Sequence, residues 1–207
     1  MKKVITVLFT IIFILYPLFI YVASHYIKLQ WLIWGVLCVF IFRGVMLIAS
    51  TVKIKTNNPE HSPNLSMQQQ AATLKGIGIY SAFIGVALAI GALVFDSQQA
   101  LLFYPVFINV LLFTVFFTSL FRPITMIEYF ARLQKPALPV KAIRYTRKVT
   151  QVWCLFFVLN GSVAFYTALF ADLSLWTLYN GVISYILMAT LFVTEWLIRH
   201  FWLTKRV

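Results

Sequence analysis

The chain has 207 residues, 62% hydrophobic and only 11% charged, and 17 Lys and Arg against 5 Asp and Glu give it a formal net charge of +12. A soluble domain is roughly half apolar and about a quarter charged, so there is too little polar surface here to cover a water-soluble globule. The same numbers exclude a disordered chain and a secreted disulfide framework as the main reading.

Bilayer-spanning helices need about 20 consecutive apolar residues. Six such windows can be laid along the single domain, residues 1–207. The first is Val4–Ala23. Lys2 and Lys3 before it resemble a signal-peptide start, but the run is too long and Tyr21 stands where a cleavage site needs a small residue, so it reads as a retained anchor. Lys28 follows, and then the second window, Trp31–Ser50, with Arg43 inside it. A loop of residues 51–75 carries Asn57, Asn58, Pro59 and Pro63 and is irregular at first. From Leu65 to Lys75 it lacks Pro and Gly, which predicts a helical lead into the third window, Gly76–Phe95. On that helix Ser81, Gly85 and Ala89 recur every four residues, a small-residue face suited to close packing.

The fourth window is Ala100–Leu120, and a loop of residues 121–150 comes next. Thr125 and Glu128 have capping-box spacing, and Met126, Ile127, Phe130 and Leu133 form an apolar helical stripe. Glu128 and Arg132 are spaced as an i,i+4 pair on the other face, and Pro136 and Pro139 end this short helix. It is expected to lie in the headgroup region with Arg132 and Lys135 toward phosphates. Lys141, Arg144, Arg147 and Lys148 make a basic helical face leading into the fifth window, Val152–Ala171. The sixth is Trp176–Ile198. The expected fold is therefore all-α, a six-helix transmembrane bundle with a short cytoplasmic interfacial helix.

Orientation follows from the basic residues, because Lys and Arg near span ends stay cytoplasmic. Fifteen of the 17 fall on one side, which places both termini and the two longer loops inside. The net charge then reflects this bias and attraction to anionic lipid headgroups, the expected partners, and not nucleic acid. Trp31, Trp34 and Trp176 fall near outer span ends, and Trp153, Trp196 and Trp202 near inner ones, as an aromatic belt would. Cys38 and Cys154 lie at different depths, so both read as small apolar fillers and not as a disulfide.

Ionisable groups inside a membrane are costly and are the best functional candidates. There are two, Arg43 and Glu195. Arg43 can snorkel and Glu195 can pair with Arg199 four residues on; the sharper alternative is a pair between Arg43 and Glu195 across helices. Asn109, Asn160 and Asn180 are the other polar candidates, with interhelical hydrogen bonding as their usual role. Asn160 falls near mid-span and Asn180 near an outer end, so no single level site is expected of them.

His25, His61 and His200 lack a carboxylate at acyltransferase spacing, and no zinc, P-loop or nucleophile-elbow motif is present. The acidic residues Glu60, Asp96, Glu128, Asp172 and Glu195 are scattered, so no enzyme, metal or cofactor site is expected.

The run FRPITMIEYFARLQKPALP, with YTRKVTQVWCLFFVLNGSVAFYTAL and WTLYNGVISYILM after it, resembles a family of inner-membrane proteins encoded in Gram-negative gene clusters for aryl polyene pigments, beside fatty-acid-synthase-like enzymes. The likeness is strongest from about Phe121 to Trp196. More remotely, Trp153, Phe156, Phe157, Gly161, Tyr166 and Trp176 form a pattern similar to the intracellular septation protein A family, which tends to have another Asn where this chain has Ala164. Neither family brings a catalytic residue. The resemblance implies a setting, the bacterial inner membrane and lipid-like polyene assembly, with acyl-carrier or synthase proteins as partners of the 121–150 loop. The expected function is a non-catalytic accessory or assembly factor; the alternative is a small transporter or flippase for a lipid-linked product, with Arg43, Asn109 and Asn160 lining a polar cavity.

Overall fold

The computed structural model describes residues 16–26, 28–55, 65–95, 97 and 99–199. Residues 4–15 of the first window lie outside them, as do Lys2, Lys3, Asn57, Asn58, Pro59, Glu60, His61, Pro63, Asp96, His200, Trp202, Lys205 and Arg206. The described residues contain helices and no strand. In chain order they are α1 (Tyr16–Tyr26), α2 (Leu29–Lys55), α3 (Leu65–Val94), α4 (Gln99–Leu102), α5 (Tyr104–Ser119), α6 (Met126–Gln134), α7 (Val140–Phe170), α8 (Leu173–Leu178) and α9 (Ser184–Ile198). A π-helical turn, Tyr179–Ile183, joins α8 to α9.

Among the described residues, five stretches are long and apolar enough to cross a membrane: 30–48, 66–94, 99–119, 140–170 and 173–198. They contain the last five predicted windows with small shifts at the ends. Of the first window, Val4–Ala23, only residues 16–23 are described, within α1. Helices α3 and α7 run well past their windows. At 30 residues α3 is about 45 Å long, more than a hydrocarbon core of about 30 Å. Hydropathy marks where a helix is apolar, whereas the backbone stays helical through polar residues with good helix propensity such as Gln68, Gln69, Gln70 and Ala71. The expected lead from Leu65 to Lys75 is thus one piece with α3.

The fourth span is broken in two. Pro105 stands in the first turn of α5 and has no N–H to give the Leu101 carbonyl, which would otherwise be its i−4 partner. The chain turns at Phe103, whose N–H bonds to Ala100 O at 3.3 Å. The carbonyls at the break are met by side chains from other helices: the Tyr16 hydroxyl donates to Leu101 O at 3.0 Å, and Trp176 Nε1 to Leu102 O at 3.1 Å. Away from water a backbone acceptor has to be matched in this way.

Packing divides the interior into two apolar clusters. One, where α1, α2, α3, α4 and α8 meet, contains Tyr16, Ile20, Leu32, Ile33, Phe40, Ala89, Leu101 and Trp176. The other, toward α6, contains Val115, Phe116, Met126, Val149, Trp153, Cys154 and Phe157. The small-residue face of α3 is covered by α2 of the same chain, with the Phe40 ring lying where a side chain at Gly85 would be. Much of the remaining apolar surface is exposed, as on Phe83, Leu159 and Phe192, which fits a membrane-embedded protein.

Two sequence readings need correction. Trp153 and Trp176 are buried core residues, and among the described tryptophans Trp31, Trp34 and Trp196 are the ones exposed as belt residues would be. Position along a span sets depth but not which face a side chain occupies. Cys38 is likewise exposed and fills no core gap, whereas Cys154 does; both are free thiols.

Candidate functional site

Among the described residues, polar side chains of the spans gather in three places. In the first, Asn160 of α7 stands at the centre. Its Nδ2 donates to Asn109 Oδ1 at 3.0 Å, and its Oδ1 accepts from the Tyr179 hydroxyl at 3.0 Å. Asn109 Nδ2 continues to the Pro105 carbonyl at 2.8 Å. Three helical segments are thereby linked by groups that are otherwise costly in hydrocarbon. Gly161 makes the approach possible, since a Cβ there would stand 3.0 Å from Asn109 Cβ.

Asn180 belongs to a separate cluster. Its Nδ2 bonds to Thr167 Oγ1 at 3.2 Å and to Trp176 O at 2.9 Å, and Ser184 Oγ donates to Asn180 O at 3.1 Å. Asn160 and Asn180 therefore do not share a site, although Tyr179, beside Asn180, reaches Asn160. The widened π turn sets Tyr179 and Asn180 toward different partners. Tyr179 was not among the sequence candidates; its one signal is a place next to Asn-Gly in an apolar span.

Arg43 occupies the third place. Its guanidinium, which can only donate, is hydrogen-bonded to the Tyr104 hydroxyl of α5, and Tyr104 is also hydrogen-bonded to Ser81 of α3. Ser81 Oγ in turn donates to Gly78 O at 2.8 Å. The Tyr104 ring packs on Tyr16 and Phe40, with centroids 4.8 and 5.1 Å away. Glu195 is elsewhere, 3.6 Å from Arg199 Nε, while Tyr145 OH reaches the Glu195 carbonyl at 3.5 Å. No ion pair joins Arg43 to Glu195 among the described residues. Helical spacing brings Arg199 to Glu195 directly, whereas α2 packs chiefly on α3.

The loop of residues 121–150 folds as α6 and the start of α7. Thr125 Oγ1 accepts from Glu128 N–H, as capping-box spacing implies, and Glu128 pairs with Arg132 at 2.7 Å. The face of this helix turned to the rest of the chain is not its apolar stripe. Met126, Glu128 and Tyr129 are buried, Glu128 to 2% exposure, whereas Phe130 and Leu133 of the apolar stripe are exposed. Docking decides this. Gln70 Nε2 donates to the Ile124 carbonyl and Met126 N–H to Ser119 Oγ, which pulls the capped first turn against α3 and α5. The carboxylate goes inward with that turn and keeps its arginine.

Among the basic candidates, Lys135, Lys141, Arg144 and Lys148 are exposed. Arg147 is also exposed, yet its guanidinium donates to Leu120 O at 2.9 Å, tying α7 to the turn after α5. Arg122 does the same for α3 through Thr73 Oγ1 at 3.0 Å.

Two surface grooves adjoin these groups. One, of about 340 Å³ between α5 and α7, is lined by Asn109, Phe113, Phe157 and Gly161. The other, of about 390 Å³, lies between α6, α7 and α9 and ends at Glu195 and Arg199. Comparison with family models, curated proteins and solved structures finds no match for this chain.

Proposed function

We propose that this chain is a non-catalytic, six-helix protein of a Gram-negative inner membrane that serves as an accessory or assembly factor in making an aryl polyene or related envelope lipid. In this reading both termini are cytoplasmic and α6 lies at the cytoplasmic headgroups. The observation that carries the non-catalytic part is the pairing of Asn109, Asn160 and Tyr179 across helices. Their amide and hydroxyl groups face one another and hold helices together, which supports a scaffold. The pathway setting rests on the resemblance of residues 121–196. Lys135, Lys141, Arg144 and Lys148 are exposed together and would meet anionic headgroups or acidic acyl-carrier and synthase proteins.

The second reading, a transporter or flippase, draws on the lateral groove at Asn109. Deleting the protein in a producing strain and identifying what accumulates tests both. Loss of product supports an assembly role; finished product retained inside the cell supports export, and normal product refutes both.

A further inference from the structure

The π turn Tyr179–Ile183 takes up one residue more than an α-helical turn, and Ser184 bonds to both carbonyls between which the two windings differ. Its N–H donates to Tyr179 O, as π winding requires, and its hydroxyl donates to Asn180 O at 3.1 Å. Asn180 O is the acceptor that the same N–H would use in an α-helix, so that acceptor already lies beside Ser184. Rewinding the turn as α-helix exchanges one acceptor for the other and leaves no carbonyl unmatched, as the interior of a membrane demands.

The two sides of the turn are held unequally. Before it, Trp176 is buried with its indole N–H on Leu102 O, and Asn180 Nδ2 bonds to Thr167 Oγ1 and Trp176 O. After it, of Ser184–Ile198 only Ser184 is buried. Helix α9 meets the core through the partly buried Met188 and Leu191 and through Phe192, whose ring lies 4.6 Å from that of Trp153. Its far end is tied to α7 by the long bond of 3.5 Å from Tyr145 OH to Glu195 O. Turning such a helix costs little in lipid, because hydrocarbon is as apolar as the side chains exchanged. The Thr190 hydroxyl donates to Ile186 O at 2.8 Å, within α9, and carries that bond with it wherever it faces. The Glu195–Arg199 pair is likewise internal to this end of the helix and moves as a unit.

We propose that this turn is a register switch. In its second register the turn is α-helical, and α9 rotates by about 100° and advances by about 1.5 Å while α8 stays in place. Each inward place on α9 then passes to the preceding residue: Leu187 takes that of Met188, Thr190 that of Leu191, and Leu191 that of Phe192 against Trp153. The switch goes beyond the accessory role above and does not depend on it.

The test is fluorine NMR of the purified full chain in phosphatidylcholine nanodiscs, labelled with fluorotryptophan, the Trp153 signal being identified by its loss in Trp153→Phe. The Phe192 ring shifts that signal only in the observed register. Two Trp153 signals are expected, or one broadened by exchange on the μs–ms scale of helix register shifts. Deleting Val182, an exposed residue of the turn, removes the extra residue and keeps α9 in its observed orientation, so one sharp signal is expected. Ser184→Ala leaves Asn180 O unmatched in the π winding alone and should raise the share of the second register about fivefold. A single sharp Trp153 signal in the unaltered chain, unmoved by Ser184→Ala, would overturn the proposal. So would exchange that persists when Val182 is deleted, which would assign it to motion of the Phe192 ring alone.

Discussion

The Tyr16 hydroxyl donates to the Leu101 carbonyl at 3.0 Å, the acceptor that Pro105 leaves without its helical partner. The two residues are 85 apart in sequence, so a local break in one helix is repaired by the first described helix. Tyr16→Phe should therefore lower stability by about 1–2 kcal/mol, the cost of an unmatched buried acceptor. Pro105→Ala restores an N–H, and in that background Tyr16→Phe should cost less. Thermal unfolding of the four proteins in detergent checks this, and strictly additive losses would contradict it.

Gly85 faces the Phe40 ring at a distance that no side chain tolerates. Gly85→Ala should destabilise by about 1–3 kcal/mol through overpacking. Phe40→Leu in the same molecule should recover part of that loss, because the ring is what the new methyl meets. Melting temperatures of the two single variants and the double variant decide it.

Arg43 and Glu195 have different partners, Tyr104 and Arg199. Losses from Arg43→Ala and Glu195→Ala should then add to within about 0.5 kcal/mol, as for distant sites. Arg43→Ala and Tyr104→Phe should not add, since each removes the same hydrogen bond. A double-mutant cycle in which Arg43 couples to Glu195 and not to Tyr104 would reverse this assignment.

Asn160 is the centre of its network, with one bond given and one received. Replacing it with Leu should cost about 1–2 kcal/mol, and Tyr179→Phe about 0.6, the usual size of a hydrogen bond between membrane helices. Equal effects of the two substitutions, measured by unfolding in mixed micelles, would place the weight of the network elsewhere.

Much of the architecture was legible in the sequence. Continuous apolar runs located the five spans found among the described residues, Thr125 and Glu128 marked the start of α6, and i,i+4 spacing offered the Glu128–Arg132 pair and, as one of two readings, the Glu195–Arg199 pair. These are local properties. Hydropathy, caps and i,i+4 contacts are set within a few residues of chain, and they survive whatever the helices later do. The inward turn of Glu128 on α6 was not legible for the same reason. Periodicity shows that a helix has an apolar stripe, but a bond from Gln70, 54 residues before Ile124, and one to Ser119 at the end of α5 turn the face carrying Glu128 inward.

By itself the sequence determined an all-helical, membrane-type chain with sorted basic charge and a short list of polar residues inside its spans. Only the tertiary structure decided how those residues were used: Asn160 with Asn109 and Tyr179, Arg43 with Tyr104, and the Leu101 and Leu102 carbonyls at the α4–α5 break with Tyr16 and Trp176. In apolar surroundings a polar group must find a partner, yet which partner it finds depends on helix adjacency and rotation. Those are set by the summed packing of side chains such as Phe40 over Gly85 and Asn109 over Gly161, which no window of sequence contains.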